Sequence, residues 1–249
     1  MDAGDWDEYG GQESAAQRRA RVAKQVMARR KRGEPFVPTE CKVKRGMPAS
    51  TFWGQAWCRN LESYGDYENR LPRGRSYLRQ GGVYDLRVNQ GQVCAYVAGG
   101  EIYEVQVGIE PLDRQRWESL KLSLAGEILN LVDLLSGQLG EGVMQAVTDV
   151  DIGLFPSPGE INLACNCPDW ADCCKHVAAV LYAIGVHLDT KPELLFELRQ
   201  VDCAELLDRA AQVGTELGSL DPSAKILLPD ELSELFGIDL VDPKSAFDA

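Results

Sequence analysis

Four cysteines, Cys165, Cys167, Cys173 and Cys174, fall within ten residues, and His176, one of only two histidines in the chain, follows at once. In a chain kept in a reducing compartment, such a cluster reads as a metal site before it reads as disulfides. The spacing is Cys-x-Cys, six residues, then Cys-x-His. Three thiolates and one imidazole suit Zn²⁺, a borderline-soft ion that accepts tetrahedral sulfur and nitrogen ligands. Four protein ligands leave no open position for water, so the expected role is structural rather than hydrolytic. Either Cys173 or Cys174 can supply the third thiolate. A cysteine nucleophile paired with His176 fits less well, because the further cysteines beside it favour metal. Zinc deaminase chemistry needs a His-x-Glu and a Pro-Cys-x-x-Cys, and the sequence has neither. No glycine-rich phosphate loop of P-loop or dinucleotide-binding spacing occurs.

Particular elements must bring these side chains together. Residues 160–164 are strand-like, so Cys165 and Cys167 stand at a strand end and project the same way. Pro168 turns the chain. Asp172 can cap a helix beginning at Cys173, since Val177, Val180, Leu181 and Ile184 follow helical spacing. A hairpin then faces the first turn of a helix, the arrangement of small zinc modules. That helix carries no Arg, Lys, Asn or Gln from Val177 to Leu188, which argues against base reading.

Upstream, order is expected from Ser50, a good N-cap followed by Phe52, Trp53, Trp57 and Leu61 at helical spacing. A polar stretch runs from Tyr64 to Arg79, and its Arg70–Arg79 part reads as a loop that binds nucleic acid or docks a protein. Its bland alternative is a solvated loop with Arg70 paired to Glu68 or Asp66. Three alternating runs, Val83–Val88, Gln92–Ala98 and Ile102–Ile109, are separated by Asn89-Gln90-Gly91 and Gly99-Gly100. They predict an antiparallel meander. A helical stripe follows from Leu112 to Leu135, with a break expected at Gly126, and then a short helix around Val143–Val147. Pro192–Gln200 and Ala204–Gln212 predict two more helices. Trp53, Trp57 and Trp117 are expected in the core. Cys41, Cys58, Cys94 and Cys203 are expected to be inert thiols.

The 249 residues carry 26 basic and 38 acidic side chains, a net charge of −12, distributed unevenly. Residues 17–79 are net +11 and residues 80–249 net −18. Phosphate is therefore repelled by the body and attracted only by the front. Residues 1–45 read as a flexible basic arm, because the Val22, Val26 and Met27 stripe is too narrow to bury itself without a partner. Any DNA or RNA contact is expected from Arg18, Arg19, Arg21, Arg29 and Arg30 on the arm and Arg70, Arg73 and Arg75 in the loop. The longest apolar run, Val177 to Val186, is about half of a membrane span, and the acidic start has no apolar stretch behind it. A soluble cytoplasmic protein without membrane contact is expected.

Cys165-Asn-Cys167-Pro-Asp-Trp170, followed by Cys174-Lys-His176-Val-Ala-Ala-Val-Leu-Tyr, resembles the SWIM-type zinc finger. Phe52-Trp53-Gly54-Gln55-Ala56-Trp57-Cys58, residues 68–75 and Gly153-Leu154-Phe155-Pro156 are similar to segments of bacterial SWIM zinc finger proteins, typically encoded beside a Swi/Snf-type helicase. The resemblance implies one structural zinc held by Cys165, Cys167, Cys174 and His176. It also implies a non-enzymatic adaptor for protein or nucleic acid, with a Swi/Snf-type helicase as partner. The alternative is a stand-alone, sequence-indifferent DNA- or RNA-binding protein using residues 17–79. The expected fold is α+β: a small antiparallel sheet with helices and a ββα-like SWIM module between flexible ends. The expected divisions are the arm (1–45), an α+β region (46–151), the finger (152–188), a helical extension (189–215) and an acidic tail (216–249).

Overall fold

Alternating residues closed by glycine turns build the sheet. In a computed structural model describing residues 13–124, 131–137 and 140–206, they form β1 (Val83–Asn89), β2 (Gln92–Ala98) and β3 (Ile102–Ile109). Gly91, at φ 66°, makes the first turn in the left-handed region that glycine enters without strain. A fourth strand, β4 (Ile161–Cys165), pairs antiparallel with β3 and places Cys165 opposite Val105. The order is β1-β2-β3-β4. Period two puts Val93, Ala95, Val97, Val105, Val107 and Ile109 on one buried face.

The helices are α1 (Ala15–Lys31), α2 (Phe52–Glu62), α3 (Leu71–Arg79), α4 (Arg114–Ser123), α5 (Leu131–Ser136), α6 (Glu141–Thr148), α7 (Lys175–Leu188) and α8 (Leu194–Arg199). Helix α7 lies between the sheet and the α2–α3 pair, and every residue from His176 to Gly185 is buried. It is apolar all round because it has no solvent face. Trp53 and Trp57 anchor α2 in this core, and the Trp57 indole donates to the Leu181 carbonyl at 2.8 Å. Trp117 is likewise buried. The N-cap of α2 is Thr51 rather than Ser50. Both residues donate to Asp189, just past the end of α7: Ser50 to one carboxylate oxygen and Thr51 to the other, at 2.8–2.9 Å. The α4 stripe ends at Ser123, while Gly126 and Ile128 lie outside the described residues, as do most of the helix expected at 204–212 and the whole acidic tail.

Two expectations are corrected. The arginine-rich stretch read as a loop is helix α3, because Leu71, Gly74 and Leu78 form a narrow buried stripe at helical spacing. The arm expected to need an outside partner forms α1 with a cover from its own chain. Val22 and Val26 are buried, Arg21 donates to the Gly100 carbonyl at 3.1 Å, and the Arg29 guanidinium sits 5.2 Å from the Phe36 and Tyr96 ring centres.

Gly74 marks how closely α3 approaches α7. A Cβ there would lie 2.5 Å from the Ala178 Cβ and 2.6 Å from its carbonyl carbon. Gly74→Ala is therefore expected to destabilise by about 1–3 kcal/mol through overpacking, read as a lower urea midpoint with unchanged zinc content.

A buried ion network closes the far end. Arg199 has no exposed surface; its guanidinium meets Glu160 at 2.6 Å and the Glu110 carbonyl at 2.9 Å. Arg116 reaches the second oxygen of Glu160 at 3.3 Å.

Candidate metal centre

Strand β4 ends at Cys165, the chain turns through Cys167 and Pro168, and α7 begins immediately after Cys174. One ligand atom from each of Cys165, Cys167, Cys174 and His176 lies within 4.8 Å of the other three. The His176 Nδ1 is 3.8 Å from the Cys174 sulfur and 4.0 Å from that of Cys165. Zn–S bonds of about 2.3 Å place tetrahedral ligands roughly 3.8 Å apart, so the cluster fits a structural zinc ion. Cys173 is also buried but is not among the four, and burial pushes its thiol up to about 12.

The helix cap differs from the expectation. Asp172 is exposed, and Cys174 is the N-cap of α7, its sulfur accepting the Val177 N–H at 3.5 Å. A hydrogen bond from Cys165, helped by His176 and this backbone N–H, holds the Cys174 thiol well below the ordinary cysteine value, and the same pairing raises Cys165. The helix terminus thus favours a thiolate where the metal needs one.

The surroundings of the imidazole were not legible in the sequence. The Tyr103 ring lies 4.5 Å from it, tilted by 31°, and Tyr77 meets it edge-on at 5.4 Å. Period two along β3 puts Tyr103 on the face of Val105 and Val107, a signal that locates it beneath α7. Gly99 caps the ring: a Cβ there would approach the His176 Nε2 to 2.6 Å. That Nε2 is buried and has no hydrogen-bond partner among the described residues. Trp170, on the loop between the ligand pairs, is fully exposed.

The cationic candidates are scattered rather than gathered. Arg70 pairs with Asp169 at 3.2 Å rather than with Glu68, and Arg75 with Glu62 at 2.9 Å; the Asp66 side chain lies outside the described residues. Arg30 donates to the Phe36 carbonyl. Arg18 and Arg73 are exposed, and the Arg19 side chain lies outside the described residues. His187, expected from the sequence as a surface residue at a helix end, is instead half-buried, 3.4 Å from the Thr39 hydroxyl. Cys58 is buried, and burial pushes its thiol up to about 12. No helix among the described residues is long and apolar enough to cross a membrane.

The SWIM zinc finger family matches residues 149–185, a span that holds all four clustered ligands. The uncharacterised protein Rv2102 of Mycobacterium tuberculosis is 35% identical over 181 residues, covering 70% of this chain. The match spans 65% of that relative's length. No solved structure matches the chain. With the family's match and the ligand geometry falling on the same residues, residues 149–185 of the chain are a SWIM zinc finger.

Proposed function

We propose that the protein is a non-enzymatic zinc-dependent adaptor that docks a protein partner through the finger, the partner being a Swi/Snf-type helicase. The carrying observation is that α7 is buried on all sides while Trp170, at the tip of the same finger, is fully exposed. A helix without a free face cannot enter a DNA groove. Tryptophan is the residue type most enriched among the anchors of protein interfaces. Asp169 tethers its loop, accepting from the Ala171 N–H and pairing with Arg70. The closed ligand set supports a structural rather than a hydrolytic role for zinc. The test mixes purified zinc-loaded full chain with a purified Swi/Snf-type helicase from the same organism. Co-elution by size exclusion is expected, with at least a tenfold weaker complex for Trp170→Ala, about 1.4 kcal/mol or more, at unchanged zinc content. Absence of a complex, or equal affinity for the variant, removes this reading.

The second reading, sequence-indifferent nucleic-acid binding by residues 17–79, rests on their net charge of +11. It requires log affinity for duplex DNA to fall with log salt by about 0.9 per phosphate neutralised, and the slope to flatten in Arg18→Ala or Arg73→Ala.

A further inference from the structure

The zinc cluster is not sealed. On one side His176 and Cys167 line a cleft of about 490 Å³, walled by α1, α3, the β2–β3 turn and the ligand loop. Its chemistry is one-sided. Arg18 enters from α1, lying over the Gly100 backbone and sharing its exposed guanidinium with Glu13 at 3.7 Å, and Lys175 enters from the first turn of α7. Tyr77 and Tyr103 each bring a phenol to it. His176, 2% exposed, lines the same cleft with its buried, unpartnered Nε2. The Nδ1 faces the sulfurs, so a metal on that side leaves Nε2 as an N–H donor with no acceptor. Asp169 is the acid among the lining residues, and Arg70 neutralises it. The cleft therefore gathers donors and cations from four separate elements around an empty volume. Buried donors left unsatisfied normally find a partner, and the His176 Nε2 has none among the described residues.

We propose that this cleft receives a phosphate group, held between Arg18 and Lys175 at the start of α7, with the tyrosine hydroxyls supplying further hydrogen bonds. A phosphate brings negative charge and several strong acceptor oxygens, which the positive end of a fourteen-residue helix and two cations complement. The proposal is independent of the helicase partner, because Trp170 does not line the cleft. The phosphate can belong to a small phosphorylated molecule or to a nucleic-acid strand. Both present the same chemistry to the cleft.

The test uses the zinc-loaded full chain and three probes at constant ionic strength: inorganic phosphate, thymidine 5′-monophosphate and the dinucleotide TpT, whose phosphate is an internal diester. Binding is followed by calorimetry and by ³¹P line broadening, with zinc content measured for every variant. Saturable binding of at least one probe is expected, weakened about tenfold by Arg18→Ala and by Lys175→Ala and unchanged by Arg114→Ala on α4. Since Lys175 adjoins two ligands, Tyr103→Phe serves as a further variant. It keeps the ring against His176 and removes only the hydroxyl, and a smaller loss of affinity is expected. Preference for the two monoesters assigns a small phosphorylated ligand, and preference for TpT assigns a strand backbone. The proposal is overturned if none of the three probes saturates, or if Arg18→Ala and Tyr103→Phe both bind as the unaltered protein does. It is equally overturned if Arg114→Ala weakens binding as much as they do.

Discussion

Cys174→Ser is expected to abolish zinc binding and, with it, the packing of α7 against the sheet. Serine is a good N-cap, so the substitution preserves the helix start and removes only the thiolate. Structural zinc in small modules contributes on the order of 10–16 kcal/mol of apparent binding energy, comparable to the whole stability of an ordinary domain. Helix α7, carrying His176 in its first turn, is the central element of the core, so loss of the metal cannot stay local. His176→Ala should behave alike, whereas Cys173→Ser should retain the ion, since Cys173 is not one of the four clustered ligands. Zinc per chain by atomic absorption, paired with near-ultraviolet circular dichroism, checks all three. A Cys173→Ser protein without zinc beside a Cys174→Ser protein with it would reverse the assignment of the third thiolate.

The second large effect lies at the other end of β4. Glu160→Gln removes the carboxylate that Arg199 and Arg116 share, and Arg199 has no solvent to retreat into. Leaving that guanidinium uncompensated is expected to cost about 3–5 kcal/mol. Combining Glu160→Gln with Arg199→Met should cost less than the two single changes added together, because the double variant buries no orphaned charge. The network also carries a pH signature. Burial pushes the Glu160 carboxyl up, but the Ser157 backbone N–H and hydroxyl together with Arg199 outweigh it and hold the group at about 2, below the ordinary 4.5. A carboxyl depressed on folding adds stability that is fully present above 4.5 and is lost as pH falls towards 2. The stability gap between the unaltered protein and Glu160→Gln should therefore narrow across that window. Urea unfolding at stepped pH values measures it, and a gap constant down to pH 2 would remove the carboxylate from the account.

Where the chemistry is local, the chain is legible. The three strands from Val83 to Ile109 are readable because alternation and glycine turns lie next to each other in sequence. The ligand residues are readable because Cys-x-Cys and Cys-x-His are rare by chance. Helix α3 is missed because its buried stripe uses Gly74 where a hydropathy pattern looks for a large apolar side chain. Strand β4 is recognised as a strand, but its place in the sheet is not, since Ala164 pairs with Gln106 across more than fifty intervening residues. Arg199 shows the same limit. Its burial depends on Glu160 and the Glu110 carbonyl, and nothing within α8 announces either.

The pairing of β4 with β3 bears on how the finger was inherited and whether it can be moved. A stretch cut at residues 149–188 would carry every ligand but leave behind β3, the Tyr103 ring against the imidazole and the wall that covers α7. Such a fragment has the coordinating atoms without the surface that orients them. Unlike finger cassettes that can be strung together or grafted between hosts, this one must travel with its sheet. During synthesis β1 to β3 leave the ribosome well before β4 and α7, which complete their edge and cover their buried face, so metal capture is a late event that closes the core rather than a step that seeds it.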